Sequence, residues 1–334
     1  MKILCIFLFS IFLFSICFLI RYISKPKHYC TKEKYIKLLH KKQKLNDRLI
    51  FKLSQIGFAL RSNLCYTNRI NIGIKDYTCY LKYLNYGDRL FISVRETKVN
   101  IQKIVSIIKD RDIKLVFYLM GEPLVPLNLI MDIYPVAIRV FVQNNIYDLP
   151  NVHIMPIGIR DCGSIVDMHK ESYYQKDLLD APKFTLPKKI YKCLLCFTLS
   201  SHPSRVICEN TLKNLPFVRN LNSDERNFVP TKVVYSETIQ SKYVLSPRGT
   251  GEDCHRFYET IYLKSIPIVL RTNNPFDKLY QQFPCLVVDN WKDVTEDLLD
   301  KEYNNCMRKL NQFLSKYPNF LSDVDSLDEL MLLL

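Results

Sequence analysis

The sequence predicts an α/β protein built from two successive halves, each a parallel sheet with helices on its faces. Three observations carry this. From about residue 88 onward, apolar runs of strand length alternate with runs of helical period. The apolar runs are nearly continuous, as strands buried on both faces are. A polar stretch over 161–188, with Gly163, Pro182 and Pro187, separates two such blocks. A chain of 334 residues, 48% hydrophobic and 24% charged, is long and apolar enough to fill two cores.

The first element is 3-ILCIFLFSIFLFSICFLI-20, which carries no charge. A membrane-spanning helix needs roughly 17–25 apolar residues. A cleaved signal peptide has a shorter apolar region, about 7–15 residues, and a small-residue cleavage site. None is visible before Arg21, Lys25 and Lys27, so residues 1–24 are expected to be an uncleaved transmembrane signal-anchor. Residues 25–60 read as a basic helical stem with an apolar stripe of Tyr35, Leu38, Leu39, Leu49, Ile50 and Leu53. Between Arg21 and Arg48 stand ten Lys/Arg against Glu33 and Asp47, a net +8 of the chain's +14. Anionic headgroups are the natural counter-charge beside a span. Nucleic acid is not the expected partner, because no aromatic-interleaved basic motif accompanies the run. The basic flank after the span points the body to the cytoplasm, and the chain has no N-x-[S/T] acceptor; a lumenal body stays open beside that reading.

Residues 61–188 are expected to form the first α/β domain with its linker. Its strands are 89–94, 113–120, 137–143 and 152–159, its helices 96–109 and 127–133, and 161–188 is a loop. Residues 189–334 form the second, with a strand over 190–199 and a helix from about 202, where Pro203 suits the first turn. Then come 243–246, a helix over 253–264, 267–270, 285–289 and terminal helices. Ligands of such folds bind at the carboxyl ends of the strands, in the crevice between the halves. Of the twelve cysteines, Cys5 and Cys17 lie in the span and the rest are scattered. Cys193 and Cys196 fall inside the apolar run 190-IYKCLLCFTL-199 and read as core; a zinc site needs a second pair and a turn between ligands.

The segment 243-YVLSPRGTGEDCHRFYETIYLKSIPIVLR-271 reads as strand, glycine loop, helix, strand. Only 8 glycines occur in the chain, and two of them, Gly249 and Gly251, stand here. They permit a tight turn and the close approach of a ligand to the backbone. The following helix aims its amino terminus at the same space, with Asp253 or Glu252 as cap, and free N–H groups there favour a phosphate. Arg248 and Arg256 can add charge-assisted hydrogen bonds. His255 and Glu259 share a helix face. Glu259 suits either the paired hydroxyls of a ribose or an ion pair with Arg256 or His255.

The run Leu245-Ser-Pro-Arg-Gly-x-Gly-x-Asp-x-His-Arg-x-x-Glu259, followed by Ile-Pro-Ile-Val at 266–269, resembles the signature block of exostosin-like glycosyltransferases, in the branch that includes ribitol xylosyltransferase and its viral and microbial relatives. The pieces 285-CLVVDNW-291, Arg205 in 201-SHPSR-205, 141-FVQN-144 and 155-MPIGI-159 agree with it. The resemblance covers roughly residues 88–320. It implies a GT-B-like α/β fold, two Rossmann-like domains facing a cleft, with residues 61–188 on the acceptor side and 189–334 holding the donor. It also implies a type II anchor, hence Golgi or endoplasmic reticulum. Arg248, Arg256 and Glu259 would line a nucleotide-sugar donor, such as a UDP-sugar, and Arg205 would assist the diphosphate; Ser246, Gly249, Gly251, Asp253 and His255 complete the block.

Transfer would go to a hydroxyl of a glycan or glycoconjugate. Arginines and a helix amino terminus can hold the leaving diphosphate without a metal or cofactor, so none is expected. Inversion needs a base across the sugar. Glu122 in 120-MGEP-123 is the candidate, with His153 as the alternative. The rival from another class is a non-catalytic, membrane-tethered α/β protein that binds polyanions or glycans.

Overall fold

The computed structural model describes residues 30–49, 51, 53–67, 78–94, 100–121, 123–160, 173–185, 188–222 and 229–333. The expected span at 3–20 and Glu122 lie outside these residues. Among the described residues no helix is long and apolar enough to cross a membrane.

The basic segment is a docked helix. Helix α1 (Lys32–Arg48) starts at Thr31, whose hydroxyl accepts the Lys34 N–H at 3.2 Å. Tyr35, Leu38, Lys42 and Asn46 fall on one face and are buried. That face meets α2 (Gln55–Arg61) and a 3₁₀ turn at Thr78–Tyr83. Tyr35 stacks on Tyr80 and Tyr83, and a disulfide joins Cys30 to Cys79. Buried Lys42 donates to the carbonyl of Ser62.

The first sheet holds β1 (Leu64–Tyr66), β2 (Arg89–Ser93), β3 (Leu115–Met120), β4 (Ala137–Gln143) and β5 (Val152–Met155), all parallel and side by side in chain order. Helices α3 (Ile101–Asp110) and α4 (Leu127–Ile133) belong to it, and Asn100 caps α3 by accepting the Lys103 N–H at 2.9 Å. The expected linker is partly helical: α5 (Tyr173–Phe184) occupies 173–184. Polar residues and Pro182 gave it the look of a loop. Leu178 and Ala181, buried where α5 packs on α7 (Thr231–Gln240), offset the hydrogen bond that proline removes.

The second sheet contains β6 (Tyr191–Leu195), β7 (Val218–Asn220), β8 (Ser241–Leu245), β9 (Ile266–Leu270) and β10 (Leu286–Val288), also all parallel, in the order β10-β9-β8-β6-β7. Cys193, in β6, and Cys196, just beyond its end, are buried core residues. Helices α6 (Pro203–Leu212), α8 (His255–Tyr262), α9 (Asp277–Gln282), α10 (Glu296–Lys316) and α11 (Val324–Leu333) complete the chain. α11 packs on β5, and its Asp328 meets Arg89 at 2.7 Å and Arg61 at 3.8 Å, so the chain's end returns to the first half.

The two sheets differ in one respect that locates a site. Chain order in the first sheet runs in a single direction, so no two neighbouring strands send their connections opposite ways. The second reverses between β6 and β8, which is the flavodoxin-like order. In open α/β sheets the crevice opens where the order reverses, at the strands' carboxyl ends.

Candidate anion site at the strand reversal

Beyond the carboxyl end of β6 the chain runs through Cys196, Phe197 and Thr198 into a 3₁₀ turn, Leu199–Ser201, and then α6. His202 caps that helix, its Nδ1 accepting the Ser204 N–H at 3.2 Å. Beyond β8 comes Ser246-Pro-Arg-Gly-Thr-Gly-Glu-Asp-Cys254, then α8, which has no side-chain cap. Arg205, on the first turn of α6, ties the two loops together. Its Nε donates to the Arg248 carbonyl at 2.8 Å, its Nη1 to Thr198 at 3.0 Å and its Nη2 to Pro247 at 3.3 Å. Its guanidinium also lies over the Phe197 ring.

No carboxylate pairs with Arg205 among the described residues. Carbonyl dipoles orient its guanidinium without cancelling its charge. Burial is the main influence lowering its pKa, and Arg256 adds to the effect. His202 is lowered too, by burial and then by Arg248 and Arg205. The reversal point therefore gathers positive charge in partly dry surroundings, where an anion gains most.

The other arginines do have carboxylates. Arg248 Nη1 meets Glu252 at 2.8 Å, and burial raises the pKa of Glu252 in spite of that partner. Arg256 Nη1 meets Glu259 at 3.1 Å, and the Tyr235 hydroxyl donates to the other Glu259 oxygen at 3.3 Å. Arg248 Nε and Arg256 Nε are buried without a hydrogen-bond partner. Of the two readings open for Glu259, the structure shows the ion pair with Arg256.

The remaining residues of the block turn inward or toward the first half. Ser246 is buried, its hydroxyl donating back to Val244 at 3.3 Å. Asp253 is no cap for α8. One of its oxygens accepts the Ile157 N–H at 2.8 Å and the Tyr258 hydroxyl at 2.6 Å, the other the Cys254 N–H at 2.8 Å. Burial raises Asp253 to about 7 even with those donors. His255 Nδ1 lies 2.7 Å from the Gly158 carbonyl.

The glycines differ from each other. Neither has positive φ, so neither serves a left-handed turn. A Cβ at Gly249 would stand 3.5 Å from Arg205 Nη2, in ordinary contact. A Cβ at Gly251 would overlap the Asn144 amide, 2.5 Å from its Oδ1 and nearer still to Cγ and Nδ2. The close approach at Gly251 is thus to a side chain of the first half.

His153 is half-buried against the Phe141 ring, and burial, then Arg139 and Lys278, depress its pKa. Two Asp-x-Asp triplets, 110–112 and 323–325, bear on the expectation of a metal-free donor site. Asp110 ends α3 and Asp112 lies in the turn before β3, while Asp323 lies just before α11. Neither triplet belongs to the loops after β6 and β8.

No family model matches the chain, and no curated protein matches it in sequence. Among solved structures it shares remote likeness with an α1,3-fucosyltransferase, at 12% identity and TM-score 0.37 over 70% of this chain and 77% of that one. The α1,3-fucosyltransferase with GDP-fucose gives 13% and 0.34 over 80% and 81%. A spinosyn rhamnosyltransferase complexed with spinosyn aglycone gives 10% and 0.32 over 91% and 79%. At such scores these likenesses carry no weight for function, which rests on the residues of the reversal point.

Proposed function

We propose that this chain is a membrane-anchored, exostosin-like glycosyltransferase that moves a sugar from a nucleoside-diphosphate donor to a hydroxyl of a glycan or glycoconjugate. The observation that carries the reading is Arg205, a guanidinium fixed by three carbonyls at the strand reversal and paired with no carboxylate among the described residues. A cation oriented before the ligand arrives suits the charge that grows on a leaving diphosphate, because no reorganisation is needed as the bond breaks. Gly249 leaves the neighbouring face of that guanidinium uncovered. Arg248 and Arg256 swing part of their charge from Glu252 and Glu259 to phosphate oxygens, and Glu259, once released, is free for ribose hydroxyls. The transfer inverts the anomeric carbon; Glu122, or His153 in its place, takes the acceptor proton, and no metal takes part. The Cys30–Cys79 disulfide supports a lumenal body, since such bonds persist in oxidising compartments. A type II protein of the endoplasmic reticulum or Golgi fits that.

The test is to incubate the detergent-purified full chain with a panel of nucleotide sugars, following nucleoside-diphosphate release and donor binding by calorimetry. Release with at least one donor, lost in Arg205→Met, is the expected result. Failure to bind any donor or free nucleoside diphosphate would sink the proposal.

A further inference from the structure

We infer that Asn144, at the end of β4 in the first half, is a positioning residue for the diphosphate loop of the second; this rests on the donor-site reading above. Asn144 follows β4 with φ +55, a left-handed conformation. That backbone turns its side chain into the loop between β8 and α8. Its Oδ1 accepts the Asp253 N–H at 3.0 Å. The amide fills the volume that a side chain at position 251 would need. Asn144 is 1% exposed, and its Nδ2 is buried without a hydrogen-bond partner. Leaving such a buried donor without a partner is costly.

The contact does not stand alone. Asp253 accepts from Ile157 N–H, and His255 meets the Gly158 carbonyl, so positions 251, 253 and 255 each touch the ends of β4 or β5. The same loop, four residues earlier, offers the Pro247 and Arg248 carbonyls that orient Arg205. A path of direct contacts therefore runs from Asn144 through 251–253 to 247–248 and on to the guanidinium. Moving one end displaces the acceptors that aim Arg205. Asn144 touches no phosphate itself; it acts through Arg205.

A double-mutant cycle on the full chain tests this, with nucleoside diphosphate binding and hydrogen exchange of the segment 247–254 as readouts. Gly251→Ala alone should weaken binding at least tenfold, because its methyl meets the Asn144 amide. Asn144→Ala alone should weaken binding severalfold and speed exchange across 247–254. In the Asn144→Ala background, Gly251→Ala should cost less than twofold more, since the overlap is gone. Additive losses, or unchanged exchange in Asn144→Ala, would overturn the inference. The exchange measurement needs no ligand, so it decides the point even if the wild-type chain binds no nucleoside diphosphate, an outcome that would by itself refute the donor-site reading. Should Gly251→Ala fail to fold, recovery of folding in the double variant supports the fit and its absence opposes it.

Discussion

At the scale of single residues, the proposed donor site separates ligand binding from folding. Gly249 needs no unusual backbone and has room for a side chain, yet anything larger than hydrogen there covers Arg205. Gly249→Val should therefore lower nucleoside-diphosphate affinity at least tenfold while leaving the urea midpoint of unfolding in place; a matching loss of stability would argue against a ligand-facing role. Glu259 behaves oppositely. Removing it strands the largely buried Arg256 guanidinium, so Glu259→Ala should cost about 3 kcal/mol in urea unfolding, whatever it does to binding. Asp253 sets a pH dependence. Its carboxyl is raised from 3.8 to about 7 in the folded chain. Between those values the folded state holds a proton that the unfolded state has released, so this group's contribution to stability falls as pH climbs from about 4 to 7. Asp253→Asn should flatten that slope in denaturation curves taken across the interval, and an unaltered slope would exclude Asp253 as its source.

Among elements, α1 has the largest consequence for experiment. Its lysines gave the segment the look of a solvated stem, but Tyr35, Leu38 and Lys42 recur at helical spacing and bury against α2 and the 78–83 turn. Leu38→Ala should destabilise the whole molecule by about 2–5 kcal/mol, as for any buried leucine; a cost below half a kcal/mol in urea unfolding would mean that α1 is detached in solution. Much of the fold was legible beforehand. β3 and β9 are continuous apolar runs, β4 and β8 carry apolar stretches at 140–142 and 243–245, and the limits of all four fall within two residues of the sequence reading. β1 and β7 were not legible: each is three residues long, and neither sits in a longer apolar run as β10 does in 285-CLVVD-289. α5 was obscured by its proline. At the candidate site, the crowding of charge and glycine in 248–259 marked the loop that follows β8 at the strand reversal. It could not tell that Gly249 lies beside Arg205 while Gly251 packs on Asn144, since the second contact depends on a residue from the other sheet. Arg205 came from the resemblance alone; nothing local marks an arginine that three distant carbonyls will hold.

For the molecule as a whole, the sheets are unequal partners: among the described residues only the second has a strand reversal, while the first contributes the surfaces that brace its loop. The Cys30–Cys79 bond ties α1 to the first half, and in a lumenal body it should be complete. A mass shift on alkylation only after reduction would show this, and free thiols at both positions in freshly isolated protein would place the body in a reducing compartment. The brace also has a meaning for descent. Because the Asn144 amide occupies the space of a Cβ at 251, the two positions cannot drift independently. A related chain with any side chain at the position of Gly251 should carry a smaller residue opposite it, and one that enlarges the position of Asn144 should have rebuilt the loop. The two halves are thereby inherited as a matched pair, and exchanging one of them between relatives should succeed only when both positions travel together.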